Sequence, residues 1–211
     1  LFWRSLFFSL TVLTFLIISY RQKTFKAFKD SGFPGFIGGI ILSFGFCGYV
    51  FAMYQTTVAN TNFIISLQIL FLAIFGYFFL KEKISAVTLT SIILAMTGVL
   101  LMVGNSLTPG ELSGNLAAFT MPITFAILIM IVRKFPSVDM VPAQFYAGIC
   151  SCLIGYFLST KIMISPHDIF LGFLAGCFQV GLGFIFITTG ARTTPSAMVG
   201  IIMLSESVLG P

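Results

Sequence analysis

Glu206 is an acidic side chain deep inside an apolar stretch of this 211-residue sequence. It stands about 11 residues into that stretch, which at 1.5 Å per helical residue is roughly 16 Å from its start and near the middle of a bilayer. A charge at that depth costs at least about 2.5 kcal/mol, so the carboxyl group must face a cavity or a partner. We predict that Glu206 binds a proton or a substrate amine, because low dielectric favours the protonated form. The alternative is a structural acid bonded to Ser205, Ser207 or a neighbouring helix.

Arg4 and two glutamines are the next candidates, because they are polar groups inside apolar stretches. The permanent charge of Arg4 suits a substrate carboxylate or Glu206. Alternatively, the Arg4 side chain extends to the membrane interface, where Trp3 beside it would be an aromatic anchor. Gln68 and Gln179 either line a cavity or bond between helices, since an unsatisfied amide in an apolar setting is costly.

Polar residues nearer the ends of the apolar stretches form a further group. We expect Asn62 and Tyr54 to contact a substrate, and we interpret Asn60 and Gln144 as interfacial or capping residues. The predicted substrate-binding or proton-binding residues are therefore Glu206, Arg4, Gln68, Gln179, Asn62 and Tyr54.

Composition indicates that the chain lives in lipid. Apolar residues make up 58% and charged residues 8% of the sequence, whereas a soluble domain has roughly 25% charged residues. The mean hydropathy is +1.08. The net charge of +5 lies in short clusters between apolar runs, which is a topology signal and not a nucleic-acid-binding face. The cysteines fall inside apolar runs without metal-ligand spacing, so we expect reduced packing residues.

Enzyme classes find little support in the motifs. The sequence has no Gly-x-Ser-x-Gly, no phosphate-binding Gly-rich loop and no His-Glu-x-x-His. Its single histidine, His167, lies between Pro166 and Asp168, and we interpret it as capping or solvated. We predict a non-enzyme without cofactor or metal.

Eight apolar stretches predict membrane-spanning helices, seven of them whole and the last one partial. The predicted spans are Leu1 to Tyr20, Gly35 to Tyr54, Thr61 to Leu80, Ala86 to Gly104, Leu116 to Val132, Val141 to Leu158, Ile169 to Thr189, and Pro195 onward. Continuous rather than alternating apolar runs argue against a β-barrel.

Basic residues orient these spans. They concentrate in the loops 21–30, 81–85, 133–140 and 190–194, whereas the alternate loops carry almost none. The positive-inside bias predicts that these four loops are cytoplasmic and that the chain is a multi-pass protein of the plasma or inner membrane.

An internal repeat organises the chain. Nine residues between Phe33 and Leu67 recur 137 positions later, between Phe170 and Leu204. They are Phe33, Gly35, Phe36, Gly39, Thr56, Thr57, Ile64, Ile65 and Leu67. Each predicted span lies five crossings from its copy, so the second copy is inverted, which is an architecture of alternating-access transporters. The glycine pairs of the repeat, spaced four apart, predict close helix packing.

The sequence resembles the EamA-type members of the drug/metabolite transporter superfamily. The residues that carry this resemblance are the stretches Phe79-Leu80-Lys81-Glu82-Lys83, Thr97-Gly98-Val99-Leu100-Leu101, Thr193-Thr194-Pro195-Ser196-Ala197 and Leu204-Ser205-Glu206-Ser207, together with the stretch from Ala52 to Ala59. The resemblance implies ten helices in two inverted five-helix halves. It also implies that this chain supplies helices two to eight and part of nine, without helix one and the end of the fold. Residues 1–104 would be the first repeat and residues 116–211 the second. An acid at Glu206 and an arginine at Arg4 are common in such proteins.

The fold class we predict is thus an all-α polytopic membrane protein with inverted repeats. We predict a secondary carrier that moves a small organic metabolite or drug-like compound by alternating access, with protons as a candidate coupling ion or with exchange, and with membrane lipid around it. The alternatives are a non-transporting scaffold or assembly protein of the same fold and, with less support, a membrane enzyme.

Overall fold

The computed structural model describes residues 1–103, 112–159 and 162–209, and for residues 95, 98–100, 102–103 and 204–209 it describes the backbone alone. Throughout these ranges the chain forms helices and turns without a strand, which confirms the all-α polytopic class. The α-helices are α1 (Phe2–Tyr20), α2 (Thr24–Gln55), α3 (Val58–Ser66), α4 (Gln68–Leu80), α5 (Ala86–Val103), α6 (Leu112–Ala118), α7 (Thr120–Lys134), α8 (Val141–Leu158), α9 (Pro166–Leu174), α10 (Gly183–Ala191) and α11 (Ser196–Leu209). A 3₁₀ turn (Arg21–Lys23) precedes α2, and a π segment (Ala175–Leu182) joins α9 to α10.

A helix, or a pair of consecutive helices, lies at each predicted span. Five stretches are long and apolar enough to cross a membrane: Phe2–Gln55, Val58–Leu80, Leu112–Lys134, Val141–Leu158 and Pro166–Ala191. The first of them contains both α1 and α2, and α5 and α11 form at the two remaining predicted spans. Hydropathy therefore located the helices, while the division into two repeat domains stays a prediction.

Helix α2 consists of two helical segments that meet at a kink at Gly32, whose φ is +50°. The segment after the kink agrees with the span predicted from Gly35, and the short segment before it, from Thr24, was not predicted. Glycine adopts this left-handed conformation without a side-chain clash. Pro34 lies two residues after Gly32, and a proline ring is incompatible with a straight helix through the preceding turn. The bend lets one element include both a basic approach segment and a membrane span.

Three predicted spans are interrupted in the structure, which the sequence analysis did not predict. Helices α3 and α4 meet at Leu67, and α6 and α7 meet at Phe119. The seventh span passes through the π segment Ala175–Leu182. Hydropathy stays high through all three places and gives no sign of the change in helix geometry. At Phe119 the cause is Pro122, which has no N–H to donate to the carbonyl oxygen of Ala118.

An aromatic cluster forms the centre of the core. Phe8 of α1, Phe46 of α2 and Phe125 of α7 surround Phe184 of α10, with ring centroids 6.1, 5.3 and 5.7 Å from that of Phe184. These edge-on contacts join helices that are distant in the sequence. Large apolar side chains such as Ile18 and Phe78 cover the exterior, as a lipid-facing surface requires.

Glycines related by the predicted repeat make similar helix contacts. A shift of 137 positions relates α1 to α8 and α2 to the α9–α10 span. A Cβ placed on Gly39 of α2 would lie 2.4 Å from the carbonyl oxygen of Ala143 in α8. A Cβ on Gly176 would lie 2.5 Å from the carbonyl oxygen of Arg4 in α1. Helix pairs related by the repeat thus make equivalent close contacts, as the glycine spacing predicted.

The four basic loops meet at one end of the bundle, which we call the basic end. Tyr20 donates a hydrogen bond to Asp139, and Arg192 Nε donates to the carbonyl oxygen of Pro136 at 2.9 Å. At the opposite end, Trp3 Nε1 donates to the carbonyl oxygen of Ile162 at 2.9 Å. The grouping of the loops agrees with the charge pattern, while the assignment of the basic end to the cytoplasm stays a prediction.

Candidate functional site

A cavity of about 280 Å³ opens between α3 and α6 at the opposite end of the bundle. Its described lining comprises Asn60, Phe63, Ile64, Asn115 and Phe119. The volume is close to the lower limit of roughly 300 Å³ for ligand pockets. Two amides beside two phenyl rings give the cavity both hydrogen-bonding groups and aromatic faces, so it can hold a small organic group.

A chain of hydrogen bonds orients the two amides. Asn60 Nδ2 donates to Thr56 Oγ1 at 3.1 Å, and Thr56 Oγ1 donates to Asn115 Oδ1 at 2.9 Å. The threonine hydroxyl has one proton, so accepting from Asn60 leaves that proton for Asn115. The carbonyl oxygen of Asn115 is thereby held against Thr56, and its Nδ2 amide is the donor that this chain leaves unused.

The start of α3 fixes the first amide in place. Thr57 is the N-cap of α3, and its Oγ1 accepts from the backbone N–H of Asn60 at 3.1 Å. Such a cap satisfies an N–H group that has no partner within the helix. The position of Asn60 therefore follows from local helix chemistry.

Both helices that flank the cavity are interrupted beside it. At the end of α3 the N–H of Leu67 bonds to the carbonyl oxygen of Ile64 at 3.1 Å, which is a tight 3₁₀-type turn. On the other side, the break between α6 and α7 falls at Phe119, itself a lining residue. Discontinuous helices are typical of substrate sites in membrane transporters.

A second polar site lies in the protein interior. Gln144 of α8 is completely buried, and its Nε2 donates to the carbonyl oxygen of Phe184 at 2.6 Å and to Thr188 Oγ1. Both partners belong to α10, directly after the π segment. The expectation of an interfacial or capping role for Gln144 was wrong, because α10 covers it, and no feature of the sequence near residue 144 indicates that packing.

At the basic end, Glu82 and Arg133 form an ion pair. Glu82 Oε1 accepts from Arg133 Nη2 at 2.6 Å and from Nε at 2.9 Å. The other carboxylate oxygen, Oε2, accepts from the backbone N–H of Ser196 at 2.9 Å. In the sequence this glutamate is part of the stretch Phe79-Leu80-Lys81-Glu82-Lys83, which does not predict its contacts.

The predicted residues Gln68 and Arg4 lie partly or wholly inside the fold. Gln68 is buried at the start of α4, next to the interruption at Leu67. Arg4 is half-buried, and its Cζ lies 5.4 Å from the centroid of the Tyr49 ring. Neither residue lines the described cavity, and no ion pair is found for Arg4 among the described residues.

The remaining predicted residues are outside the interior or outside the description. Tyr54 is 85% exposed, and Asn62 and Gln179 are exposed as well. Glu206 belongs to α11, but its side chain lies outside the described residues. The structure therefore brings together Asn60 and Asn115, and does not gather the six predicted residues around one cavity.

The cysteines and other potential metal ligands do not form a site in the described ranges. Cys152 is buried, the other three cysteines are half-buried, and none of the four is paired in a disulfide. Among the described residues, no three His, Cys, Asp or Glu side chains are close enough to hold a metal ion together.

Comparison with known proteins identifies the family of this arrangement. Residues 1–104 match the EamA-like transporter family. The first half of this chain is an EamA-type domain. The resemblance seen in the sequence is confirmed over these residues, and the five long apolar stretches of the described chain agree with a multi-pass membrane protein.

Two further proteins are similar to this chain, one in sequence and one in fold. An uncharacterized transporter of Methanothermobacter thermautotrophicus is 25% identical over 174 residues, which are 74% of this chain and 48% of that protein. The EamA-type chain thus spans about half the length of that relative. A solved crystal structure has the same fold with a TM-score of 0.82 and 18% identity, and the alignment covers 99% of this chain and 75% of the solved one.

Proposed function

We propose that this EamA-type protein is a secondary carrier that moves a small organic metabolite or drug-like compound by alternating access. The observation that carries the proposal is the cavity between the interrupted helices α3 and α6. Inverted repeats that move against each other around a site are the usual basis of such transport.

The two ends of the bundle differ in a way that supports this cycle. The cavity opens at the end where Thr56 and Asn115 meet. The basic end is joined by contacts such as Glu82 with Arg133 and Tyr20 with Asp139. A site open at one end and held at the other is one of the two states that alternating access requires.

The lining of the cavity favours a particular substrate chemistry. The unused amide of Asn115 can donate to a carbonyl, carboxylate or hydroxyl oxygen, and the rings of Phe63 and Phe119 suit an apolar or aromatic body. The described lining contains no charged side chain, so the hydrogen bond from Asn115 would provide the polar recognition.

Energy for the cycle would come from an ion gradient or from exchange. Glu206 is the proposed proton-binding residue, since an acid within a membrane-spanning helix is by default a functional group. Arg4, Gln68 and Gln179 are proposed to line the path, and Asn62 and Tyr54 to contact the substrate where it enters.

The test is transport by the full-length protein in vesicles. Uptake and efflux of a panel of amino acids and metabolites would be measured with and without a pH gradient, for the wild type, Asn115→Ala and Glu206→Gln. Ser113→Ala is the matched control, because Ser113 is an exposed polar residue of the same short helix. We expect flux in the wild type, about a tenfold loss in Asn115→Ala from one lost hydrogen bond, and no loss in Ser113→Ala.

The outcomes separate the parts of the proposal. Flux that follows the pH gradient and disappears in Glu206→Gln identifies a proton-coupled carrier. Flux that ignores the gradient and persists in Glu206→Gln indicates an exchanger or facilitator. An absence of flux for every compound tested contradicts the carrier and favours the scaffold alternative.

A further inference from the structure

Glu82 leaves the end of α4 in a fixed direction. Lys81, the C-cap residue directly after α4, has a φ of +54°, and the N–H of Glu82 donates to the carbonyl oxygen of Gly76 at 3.0 Å. This is the hydrogen-bond pattern of a left-handed helix cap. The chain therefore reverses at Lys81 and places the Glu82 carboxylate back over the last turn of α4.

Each carboxylate oxygen of Glu82 binds a different helix. Oε1 accepts two hydrogen bonds from Arg133, in the last turn of α7. Oε2 accepts from the N–H of Ser196, the first residue of α11, where the helix dipole favours a negative charge. One side chain thus connects the ends of α4, α7 and α11.

The packing around this carboxylate is close. A Cβ on Gly76 would lie 2.9 Å from Glu82 Oε2 and 3.2 Å from Ser196 Cβ. Arg133 Nη1 also donates to the carbonyl oxygen of Arg192 at 3.4 Å, in the turn that precedes α11. The glutamate therefore holds the start of α11 both directly and through Arg133.

These contacts cross between the two repeats. Glu82 follows α4 of the first repeat, whereas Arg133 and Ser196 belong to the second. The side chains of Arg133 and Glu82 are 20% and 17% exposed, so water can replace the contacts when the helices separate. A charge-assisted pair of this kind is strong enough to favour one state and is still reversible.

We propose that Glu82, Arg133 and the N–H of Ser196 form a latch that holds the basic end closed and that opens once in each transport cycle. The proposal rests on the carrier function argued above, because a carrier must open the basic end to release or receive its substrate. Opening would separate α4 from α7 and α11, so the three contacts of Glu82 would break together.

Accessibility of a cysteine at the latch tests the proposal without any substrate. Ser196→Cys is nearly isosteric, and Ser196 is completely buried in the structure. A membrane-impermeant maleimide would be applied to the basic end of the full-length protein in vesicles. The labelling rate of the native cysteines, measured without Ser196→Cys, is subtracted.

The latch predicts that Glu82→Gln and Arg133→Gln each raise the labelling rate at position 196 about tenfold, which is the factor for one lost charge-assisted contact. The matched controls Asp30→Asn and Lys134→Gln remove exposed charges at the same end and should leave the rate unchanged. If a single variant does not fold, Glu82→Gln combined with Arg133→Gln supplies the measurement, since it leaves no unpaired charge.

The result can be read independently of the transport assay. An unchanged labelling rate in the Glu82 and Arg133 variants overturns the latch, even if the protein transports a substrate. An equal rise in Asp30→Asn overturns it as well, because the effect would then be one of general charge. A selective rise supports the latch as the set of contacts that holds the basic end closed. If the same protein moves no compound, the carrier function fails and with it the opening in each cycle, whereas the closed basic end is still supported.

Discussion

Gly39 and Gly176 are 137 positions apart, at matching places in the sequence repeat, and each lies against a backbone carbonyl group of the other predicted half. The neighbours are Ala143 for Gly39 and Arg4 for Gly176, with 2.4 and 2.5 Å between the carbonyl oxygen and a built Cβ. Neither place has room for a methyl group. The two predicted halves therefore contact each other through a pair of glycines, and the sequence repeat relates one glycine contact to the other.

We predict that Gly39→Ala and Gly176→Ala each lower the free energy of unfolding by about 1 to 3 kcal/mol, because the methyl group must displace a neighbouring helix. Gly190→Ala is the matched control, since Gly190 is also helical but has no atom within 4 Å of a built Cβ. We expect that control to be neutral or up to about 1 kcal/mol more stable. Unfolding midpoints in detergent would show the difference, and equal losses in all three variants would contradict it.

The buried amide of Gln144 should stabilise the interior. We expect Gln144→Leu to lower the unfolding midpoint, because Thr188 and the carbonyl group of Phe184 lose their donor. Gln179→Leu makes the same chemical change at an exposed position and should have little effect.

The coupling between Gln144 and Thr188 can be measured directly. A double-mutant cycle of Gln144→Leu with Thr188→Val should give about 0.6 to 1.7 kcal/mol, the range for hydrogen bonds between helices in membranes. Strict additivity of the two substitutions would show that the pair does not interact.

Thr56 should determine the orientation of the cavity amides. Thr56→Val removes both hydrogen bonds that link Asn60 to Asn115, at a cost of about 0.5 to 1.5 kcal/mol for each lost bond. Thr56→Ser keeps the hydroxyl group and should retain both stability and transport. Thermal unfolding and vesicle flux would be compared for the two variants, and a loss in Thr56→Ser equal to that in Thr56→Val would count against the hydrogen-bond chain.

The contact between the Arg4 guanidinium and the Tyr49 ring should stabilise the protein. Tyr49→Phe keeps the aromatic face and is expected to be nearly neutral, whereas Tyr49→Leu should destabilise the protein by about 0.5 to 2 kcal/mol. Tyr77→Leu removes an exposed ring from α4 and controls for the loss of a tyrosine. If Tyr49→Phe and Tyr49→Leu have the same midpoint, the cation–ring contact contributes nothing.

Hydropathy and charge predicted most of the fold, because helix location depends on long apolar runs and the grouping of loops depends on clustered lysines and arginines. The interruption at Leu67 could not be predicted in this way, because Leu67 is apolar and no glycine or proline lies beside it. The interruption at Phe119 does have a signal that hydropathy overlooks. Pro122 has no N–H to donate to the carbonyl oxygen of Ala118, the last residue of α6.

The candidate site was less predictable, because burial of a polar side chain depends on its neighbours in space. Gln68 and Gln179 look alike in the sequence, yet one is buried and the other exposed. Gln144 stands three residues after the start of the apolar stretch at Val141, which suggested an end position, but α10 encloses it. The role of Asn115 depends on its hydrogen bond with Thr56, which is 59 positions away, and the sequence alone does not show that these residues are neighbours.

The π segment Ala175–Leu182 makes the two copies of the repeat unequal. The corresponding part of the first copy, residues 38–45, is ordinary α-helix within α2. Each residue of an α-helix turns the chain by about 100°, so one residue taken up in a wider turn changes the direction of every side chain after it by about that angle. The face that α10 presents to Gln144 is set by this register shift. Closing the wide turn would rotate Thr188 away from Gln144. A twist of this one span would therefore change the hydrogen bonds of the interior without moving the helix axis.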